Sequence, residues 1–348
     1  MGPKGMALAV GTVSESLPAD APAGQLFAAP VDLDIGAWPP LPAASLTTAD
    51  IDGDGVQDLL LAGARTRVFR GAGAGAFEAL VEHPLAGVSD VVAAAWGDVD
   101  NDGHTDVYLC RRGANELRLR TAEGWRDVTA EAGVGDAGAC ADTAMIDADH
   151  DGDLDLFVVN ADGPDELFNN DRTGRFRRLA VDQGIAGGAG GRQFVAADLD
   201  ADRDLDLVVL NDGREHDVWL NDRLWSYRPA PGMDDFRVAD LVAAVAADAD
   251  ADGQVELHTL ARDGVLSVWT PDDSGNWSAA ARGRLGGDGG FDDGWLTLTD
   301  LNGDGRLDRL AGAGGAFGLP DGGEIAGAAA GLASAAVPVL VEPAQGPA

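Results

Sequence analysis

An acidic nine-residue stretch occurs six times in this 348-residue chain, and its spacing constrains the fold more than any other feature. The first aspartates of the copies are Asp50, Asp98, Asp147, Asp198, Asp248 and Asp300, at intervals of 48, 49, 51, 50 and 52 residues. A fixed period near fifty residues marks a repeat architecture, in which each unit buries its apolar face only against its neighbours. Within a period the pattern is constant. A short apolar run precedes the acidic stretch (Val91 to Trp96, Gln193 to Ala197) and a β-rich run follows it (Val107 to Leu109, Leu156 to Val159, Leu207 to Leu210). A third run carries Phe69, Leu119, Phe168, Trp219 or Trp269, and a fourth carries Phe77, Trp125, Phe176, Trp225 with Tyr227, or Trp277.

These runs are short and bounded by Gly, Asp or Asn, so they read as strands. No segment sustains apolar spacing at i, i+3, i+4, i+7 over three helical turns. Four short strands per period predict an all-β fold, a β-propeller of four-stranded blades. The repeats begin near residues 43, 91, 140, 192, 241 and 293. Gln25 to Val31 reads as one further strand, and after Gly314 the sixth repeat keeps only Phe317 before a final apolar run, Ala335 to Val341. The expected organisation is a leader or unstructured segment over 1–24 and one propeller domain over 25–348. It has six clear repeats, with a composite seventh blade if the N-terminal strand completes one begun at the C-terminus.

The acidic stretches have the oxygen spacing of a cation site. In the first, Asp50, Asp52, Asp54 and Asp58 stand at positions 1, 3, 5 and 9, with the carbonyl of Val56 at position 7 as a further donor. The second offers Asp98, Asp100, Asp102, the carbonyl of His104, and Asp106. The third offers Asp147, Asp149, Asp151, Asp153 and Asp155, the fourth Asp198, Asp200, Asp202, Asp204 and Asp206. The fifth has Asp248, Asp250, Asp252, Gln254 and Glu256, and the sixth Asp300, Asn302, Asp304, Arg306 and Asp308. An all-oxygen donor set without Cys or His side chains disfavours zinc and copper. Several carboxylates plus a carbonyl suit the large, flexible shell of calcium better than the rigid octahedron of magnesium. The expected cofactor is therefore Ca2+, at up to six sites. The stretch is not an EF-hand, because position 12 is never acidic and a strand follows instead of a helix. One copy alone would read as an ordinary acidic turn; six in register do not. The fourth ranks weakest, because Arg203 replaces the glycine found at position 6 elsewhere, where a tight loop demands positive φ. Calcium is expected to hold the fold, since crowded carboxylates repel one another without it.

Charge and the remaining residues exclude several classes. The net charge is −35, with 25 of the 59 acidic residues inside the six loops, which argues against nucleic acid or anionic lipid as partner. No run is long enough to span a membrane. Two cysteines, Cys110 and Cys140, are too few for a disulfide-stapled scaffold; they pair between neighbouring repeats or stay buried as thiols, and both readings stand. Met1 to Val13 holds Lys4 and an apolar patch, Met6 to Val10, and Ala19 to Ala23 loosely fits a cleavage site. Interrupted by Gly11, this reads as a weak or truncated secretion leader.

The loops, together with Trp125-Arg126-Asp127-Val128-Thr129-Ala130-Glu131-Ala132-Gly133-Val134 and Glu166-Leu167-Phe168-Asn169-Asn170, resemble the FG-GAP/VCBS family of calcium-binding propeller repeats, also found in the head of integrin α chains. The resemblance covers residues 43 to about 320 and is nearest to the exported bacterial, cartilage-acidic-protein-like branch. It implies the fold and the metal and leaves the activity unspecified.

Neither a Gly-x-Ser-x-Gly elbow, a phosphate-cradling loop nor a His-Glu-x-x-His helix is present. The five histidines (His83, His104, His150, His216, His258) are scattered, and His150 is expected to face solvent. The leading expectation is a non-catalytic, monomeric, extracellular or periplasmic propeller, an adhesion or interaction module presenting loops to a protein or glycan. The alternative is a carbohydrate-active enzyme of polysaccharide lyase type. A basic residue among Arg111, Arg112, Arg118, Arg120, Arg172, Arg175, Arg177 and Arg178 would then hold a uronate beside a metal. Trp38, Trp96 and Trp295 lie outside the blade-aromatic register and could stack on sugar, although core packing explains a Trp among apolar residues more readily.

Overall fold

The computed structural model describes residues 45–313 except 74–75, 224, 286–289 and 300–305, together with short strands at Val10–Gly11, Ala316–Gly318 and Val339–Leu340. It is a β-propeller. The chain folds into successive antiparallel sheets, one per repeat, each in simple up-and-down order. Blade 1 comprises Leu46–Ala49, Asp58–Leu61, Arg67–Gly71 and Phe77–Ala79. Blade 2 comprises Ser89–Gly97, Asp106–Arg111, Glu116–Thr121 and Gly124–Asp127, and Gly63–Arg65 adds a fifth strand at its inner edge. Blade 3 is Cys140–Ile146, Asp155–Asn160, Glu166–Asn170 and Phe176–Arg178; blade 4 is Gly191–Ala197, Asp206–Asn211, Asp217–Asn221 and Tyr227–Pro229. Blade 5 is Leu241–Ala247, Glu256–Ala261, Val265–Pro271 and Trp277–Arg284. Three strands of blade 6 are described, Trp295–Thr299, Asp308–Ala313 and Ala316–Gly318.

Packing between blades explains the composition of the strands. The second strand of each blade is sandwiched between neighbouring sheets and reads as an apolar run without polar alternation. In Asp155–Asn160 and Asp206–Asn211 every residue is buried. Alternate side chains then serve opposite neighbours. Leu156 and Val158 pack toward blade 2 with Tyr108, Leu117 and Leu119, while Phe157 and Val159 pack toward blade 4 with Phe194, Leu207 and Val209. The third-run residues Phe69, Leu119, Phe168, Trp219 and Trp269 are all buried. Fourth strands lie at the rim and are largely exposed, as in Phe176–Arg178. First strands of successive blades pack side by side and carry a register shift at the same place in blades 2 to 5, between Val91 and Ala93, Cys140 and Asp142, Gly191 and Gln193, and Leu241 and Ala243.

Cys110, in the second strand of blade 2, and Cys140, in the first strand of blade 3, form a disulfide. Of the two readings left open by the sequence, pairing between neighbouring repeats is the one the structure holds. The described helices are single turns, Thr129–Ala132, Ala180–Gln183 and Asp234–Arg237, each following a fourth strand. Among the described residues no helix is long and apolar enough to cross a membrane. The two ends of the chain meet through Val10–Gly11 and Val339–Leu340, which pair in parallel, unlike the antiparallel blades. The strand expected at Gln25 to Val31 lies outside the described residues.

Candidate metal-binding loops

Every acidic stretch described in full is the loop between the first and second strands of a blade. Its conformation is repetitive because two positions per loop are left-handed. Position 6 has φ of 86° at Gly55, 85° at Gly103, 90° at Gly152 and 90° at Gly253, and Arg203 adopts 77° in the fourth loop. A Cβ disfavours that region, so Arg203 carries backbone strain the other loops avoid. Position 4 is left-handed too, at Gly53, Asn101, His150, Ala201 and Ala251, a requirement the sequence does not advertise because four residue types fill it in five loops.

In this conformation carboxylates converge. Asp50, Asp52 and Asp58 bring donor oxygens within 4.8 Å of one another, as do Asp98, Asp100 and Asp106; Asp147, Asp149 and Asp155; and Asp198, Asp200 and Asp206. The fifth loop brings four groups together, Asp248, Asp250, Asp252 and Glu256. Position 5 joins the group only there. In every one of these loops, the fifth included, it caps the turn, since Asp54 accepts from the N–H of Val56, Asp102 from His104, Asp151 from Asp153, Asp202 from Asp204 and Asp252 from Gln254, at 2.8–3.1 Å. Position 1 accepts from the N–H groups of positions 5 and 6, as Asp98 does from Asp102 and Gly103. In the sixth loop Asp300, Asn302 and Asp304 lie outside the described residues, while Asp308 opens the second strand of blade 6.

At position 7 the side chains turn away from the group. Asp153 and Asp204 are buried, yet they pair with Arg172 (2.9 Å) and Arg223 (2.9 Å) of the following turn, and His150 Nε2 approaches Asp204 Oδ1 at 3.0 Å. His150 is half exposed and links the third loop to the fourth, beyond the solvent-facing role expected of it. At this position a metal could use only the carbonyls, including those of Val56, His104 and Gln254.

Position 9 is the structural centre of the loop. Its carboxylate is buried and held from two sides. Asp58 accepts from the N–H of Ile51 (2.8 Å) in its own loop and from Gly71 (2.8 Å) at the end of the third strand. Asp106 accepts from Val99 (3.0 Å) and Arg120 (2.8 Å), Asp155 from Ala148 (3.0 Å) and Asn170 (2.9 Å), Asp206 from Leu199 (2.7 Å) and Asn221 (2.8 Å). Gly71, Arg120, Asn170 and Asn221 occupy one register position, each opposite the fourth-strand aromatic: Phe77, Trp125, Phe176 and Tyr227. In blade 5 that position is Pro271, opposite Trp277. Proline has no N–H to donate. Glu256 correspondingly accepts from Ala249 in its own loop (2.9 Å).

The electrostatics suit a cation. Burial pushes the carboxyls of Asp106, Asp155 and Asp206 up to about 7, against the lowering effect of their backbone hydrogen bonds. Burial also raises Asp58, Asp100, Asp149, Asp200 and Glu256, and neighbouring loop carboxylates add to each shift. Asp100 Oδ1 is buried without a hydrogen-bond partner. Anionic oxygens crowded together, one of them unpartnered, form a donor set that a hard divalent cation satisfies and a proton satisfies poorly.

The candidate sugar-binding groups have structural occupations. Arg111 and Arg118 both pair with Glu116, Arg120 donates to the Asp52 carbonyl, Arg175 pairs with Glu131 and Arg178 with Glu166. Trp96 donates to Thr47 Oγ1 (3.0 Å) across the blade 1–2 boundary and meets Trp125 edge-on. Trp295 lies in the first strand of blade 6, and Trp38 is outside the described residues. His216 is buried, accepting from the Asn211 N–H, and His258 is buried beside Glu256.

Comparison with known proteins matches three overlapping windows, residues 50–109, 98–158 and 147–209, to the FG-GAP-like repeat. Each window starts at the first aspartate of one loop. No curated protein matches the chain. Among solved structures it is similar to BBS1N in complex with ARL6DN, at 12% identity and a TM-score of 0.50 over 80% of each chain. An Agrocybe aegerita lectin that recognises non-reducing terminal N-acetylglucosamine aligns at 16% identity and 0.48, over 78% of this chain and 74% of that one. The V. cholerae biofilm matrix protein Bap1 aligns at 16% and 0.40, over 68% and 39%. At these identities the BBS1N likeness speaks to the fold alone. From residue 50 to residue 209 the chain is thus built of FG-GAP-like repeats.

Proposed function

We propose that this protein is a calcium-stabilised, exported propeller that acts as a non-catalytic interaction module, monomeric, with its blade loops presented to a protein or glycan. The observation that carries the reading is the convergence of loop carboxylates in five successive blades, each within 4.8 Å. Positions 1, 3 and 9 would hold the ion through carboxylates, and the position-7 carbonyl would add a neutral oxygen. The ion would offset the repulsion and burial that raise Asp100, Asp149 and Asp200 at position 3 and Asp58, Asp106, Asp155, Asp206 and Glu256 at position 9. A ligand that binds the folded state alone stabilises it by about 2.7 kcal/mol at a hundredfold excess over Kd. Several such loops would make the propeller dependent on calcium.

Export is supported by two features. Calcium at the roughly 0.1–1 mM that extracellular modules bind is not available in the cytosol. The Cys110–Cys140 disulfide belongs to an oxidising compartment.

Calorimetric unfolding of the purified chain in calcium and in chelator, with elemental analysis of the bound metal, tests the calcium reading. A lower midpoint after chelation and several calcium ions per chain are expected; an unchanged midpoint would refute it. The interaction role is tested by binding to glycan arrays and immobilised matrix proteins alongside an assay on acidic polysaccharides. Measurable cleavage would overturn the non-catalytic reading.

A further inference from the structure

The loops of adjacent blades are joined by a relay of hydrogen bonds that runs from blade 1 to blade 4 and stops at blade 5. Asp106 Oδ2 accepts from the Val99 N–H, and the Val99 carbonyl accepts from the side-chain amide of Asn170 in the next blade (2.8 Å). The Asn170 N–H donates to Asp155 Oδ1, and Asp155 Oδ2 accepts from Ala148. The Ala148 carbonyl accepts from the amide of Asn221 (2.8 Å), whose N–H donates to Asp206 Oδ1. Asp206 Oδ2 accepts from Leu199. Upstream, the Arg120 N–H donates to Asp106 Oδ1 while its guanidinium donates to the Asp52 carbonyl in the first loop. Asn170 and Asn221 are themselves buried, at 2% and 1% exposure, so water does not substitute for these bonds. The next member would be Pro271, which has neither an N–H for Glu256 nor a side-chain donor for Leu199. A cavity of about 370 Å3 lies there instead, bordered by Leu199, Pro271, Trp277 and Arg228.

We propose that Arg120, Asn170 and Asn221 are positioning residues that couple calcium binding in loops 1 to 4, and that Pro271 uncouples loop 5 from loop 4. The inference rests on the calcium reading above. An ion in loop 3 fixes Asp155 against Asp147 and Asp149; this fixes the Asn170 peptide and its amide, and thereby the Val99 turn of loop 2. Loop 2 then has less freedom left to lose when its own ion arrives, so its affinity rises. Coupling of binding is reciprocal, so occupation of loop 2 favours loop 3 equally.

Hydrogen–deuterium exchange of the full chain across a calcium titration reads each loop separately. Asp149→Ala removes a loop 3 ligand that is not part of the relay. It is expected to raise the calcium midpoint for protection of loop 2 by about fivefold or more, the low end for coupled sites. The same substitution in an Asn170→Ala background should leave the loop 2 midpoint where Asn170→Ala alone puts it. Asp250→Ala should leave loop 4 unchanged in the natural chain, and should raise its midpoint once Pro271→Asn supplies both missing donors. The Pro271→Asn arm keeps the test decisive should Asn170→Ala fail to fold. Calcium-dependent protection of every loop, with a loop 2 midpoint indifferent to Asp149→Ala, would overturn the coupling and spare the calcium reading. Absence of calcium-dependent protection at all loops would overturn both.

Discussion

Replacing Asp155 by alanine separates the structural role of the ninth carboxylate from its role toward a metal. The side chain is fully buried and accepts from the Ala148 N–H at 3.0 Å and the Asn170 N–H at 2.9 Å, so the substitution strands two buried donors. Each unsatisfied donor costs about 1–3 kcal/mol, or about 4 kcal/mol for the pair. Near 60 °C unfolding entropy is about 2.1 cal/mol/K per residue, so a folded unit of about 270 residues would lose about 7 °C of midpoint. The assay is scanning calorimetry in chelator at pH 5.5. With its pKa near 7, the Asp155 carboxyl is then mostly neutral, so neither metal nor repulsion by Asp155 contributes to its effect. The control is Asp149→Ala, which in the same loop strands no buried donor: it removes an acceptor for the Asp151 N–H at 3.2 Å, a bond at the exposed surface, and a carboxylate that repels its neighbours. Its midpoint should move by less than about 1 °C, since surface changes away from special features stay within about 0.5 kcal/mol. In calcium both variants should lose stability, because both remove a ligand from the third loop. Equal midpoints for the two variants in chelator would refute the assignment of position 9 as the tie between loop and third strand.

Three further outcomes are expected. The carboxyls of Asp106, Asp155 and Asp206 are raised from 3.8 to about 7 in the folded chain, so without metal their contribution to stability is complete below about pH 4 and is lost as pH rises through 7. Unfolding midpoints between pH 5 and 8 should therefore fall in chelator, the gap to the calcium-loaded protein should widen with pH, and calcium added near pH 6.5 should release protons. Cys110 and Cys140 are 30 residues apart, and closing a loop of that length is worth about 3.6 kcal/mol in the chain-entropy model. A thiol reductant or the double variant Cys110→Ala/Cys140→Ala should lower the calorimetric midpoint by about 6 °C. Gly71→Ala would place a methyl 2.3 Å from the Gln57 carbonyl and 2.7 Å from Val56 Cγ1, pushing the third strand off Asp58. A loss of about 1–3 kcal/mol or more is expected in urea unfolding, as for other overpacked sites.

Much of this architecture is written in local residue order. The fifty-residue period, the strand pattern and the Asp-x-Asp-x-Asp spacing each act over a few neighbouring positions, and all point to a propeller with an oxygen site between the first two strands of its blades. The left-handed position 6 was legible as well, because glycine marks it in every loop but the fourth and Arg203 stands out by contrast. Position 4 was not, since Gly53, Asn101, His150, Ala201 and Ala251 share a backbone conformation across four residue types, most of which do not favour it.

Features that depend on register between strands and on contact between blades came only with the tertiary structure. Gly71, Arg120 and Pro271 share no residue type with Asn170 and Asn221, which both stand in Asn-Asp-Arg, yet strand pairing sets all five opposite a fourth-strand aromatic, and the first four donate to a ninth carboxylate. Neighbouring blades bring Cys110 to Cys140, Arg120 to the Asp52 carbonyl, and His150 to Asp204, contacts across 30, 68 and 54 residues that no local pattern specifies. Local order determines what each repeat can become. Which loops are tied together, and where that tie ends at Pro271, is decided by backbone donors and acceptors that meet only when the sheets pack against one another.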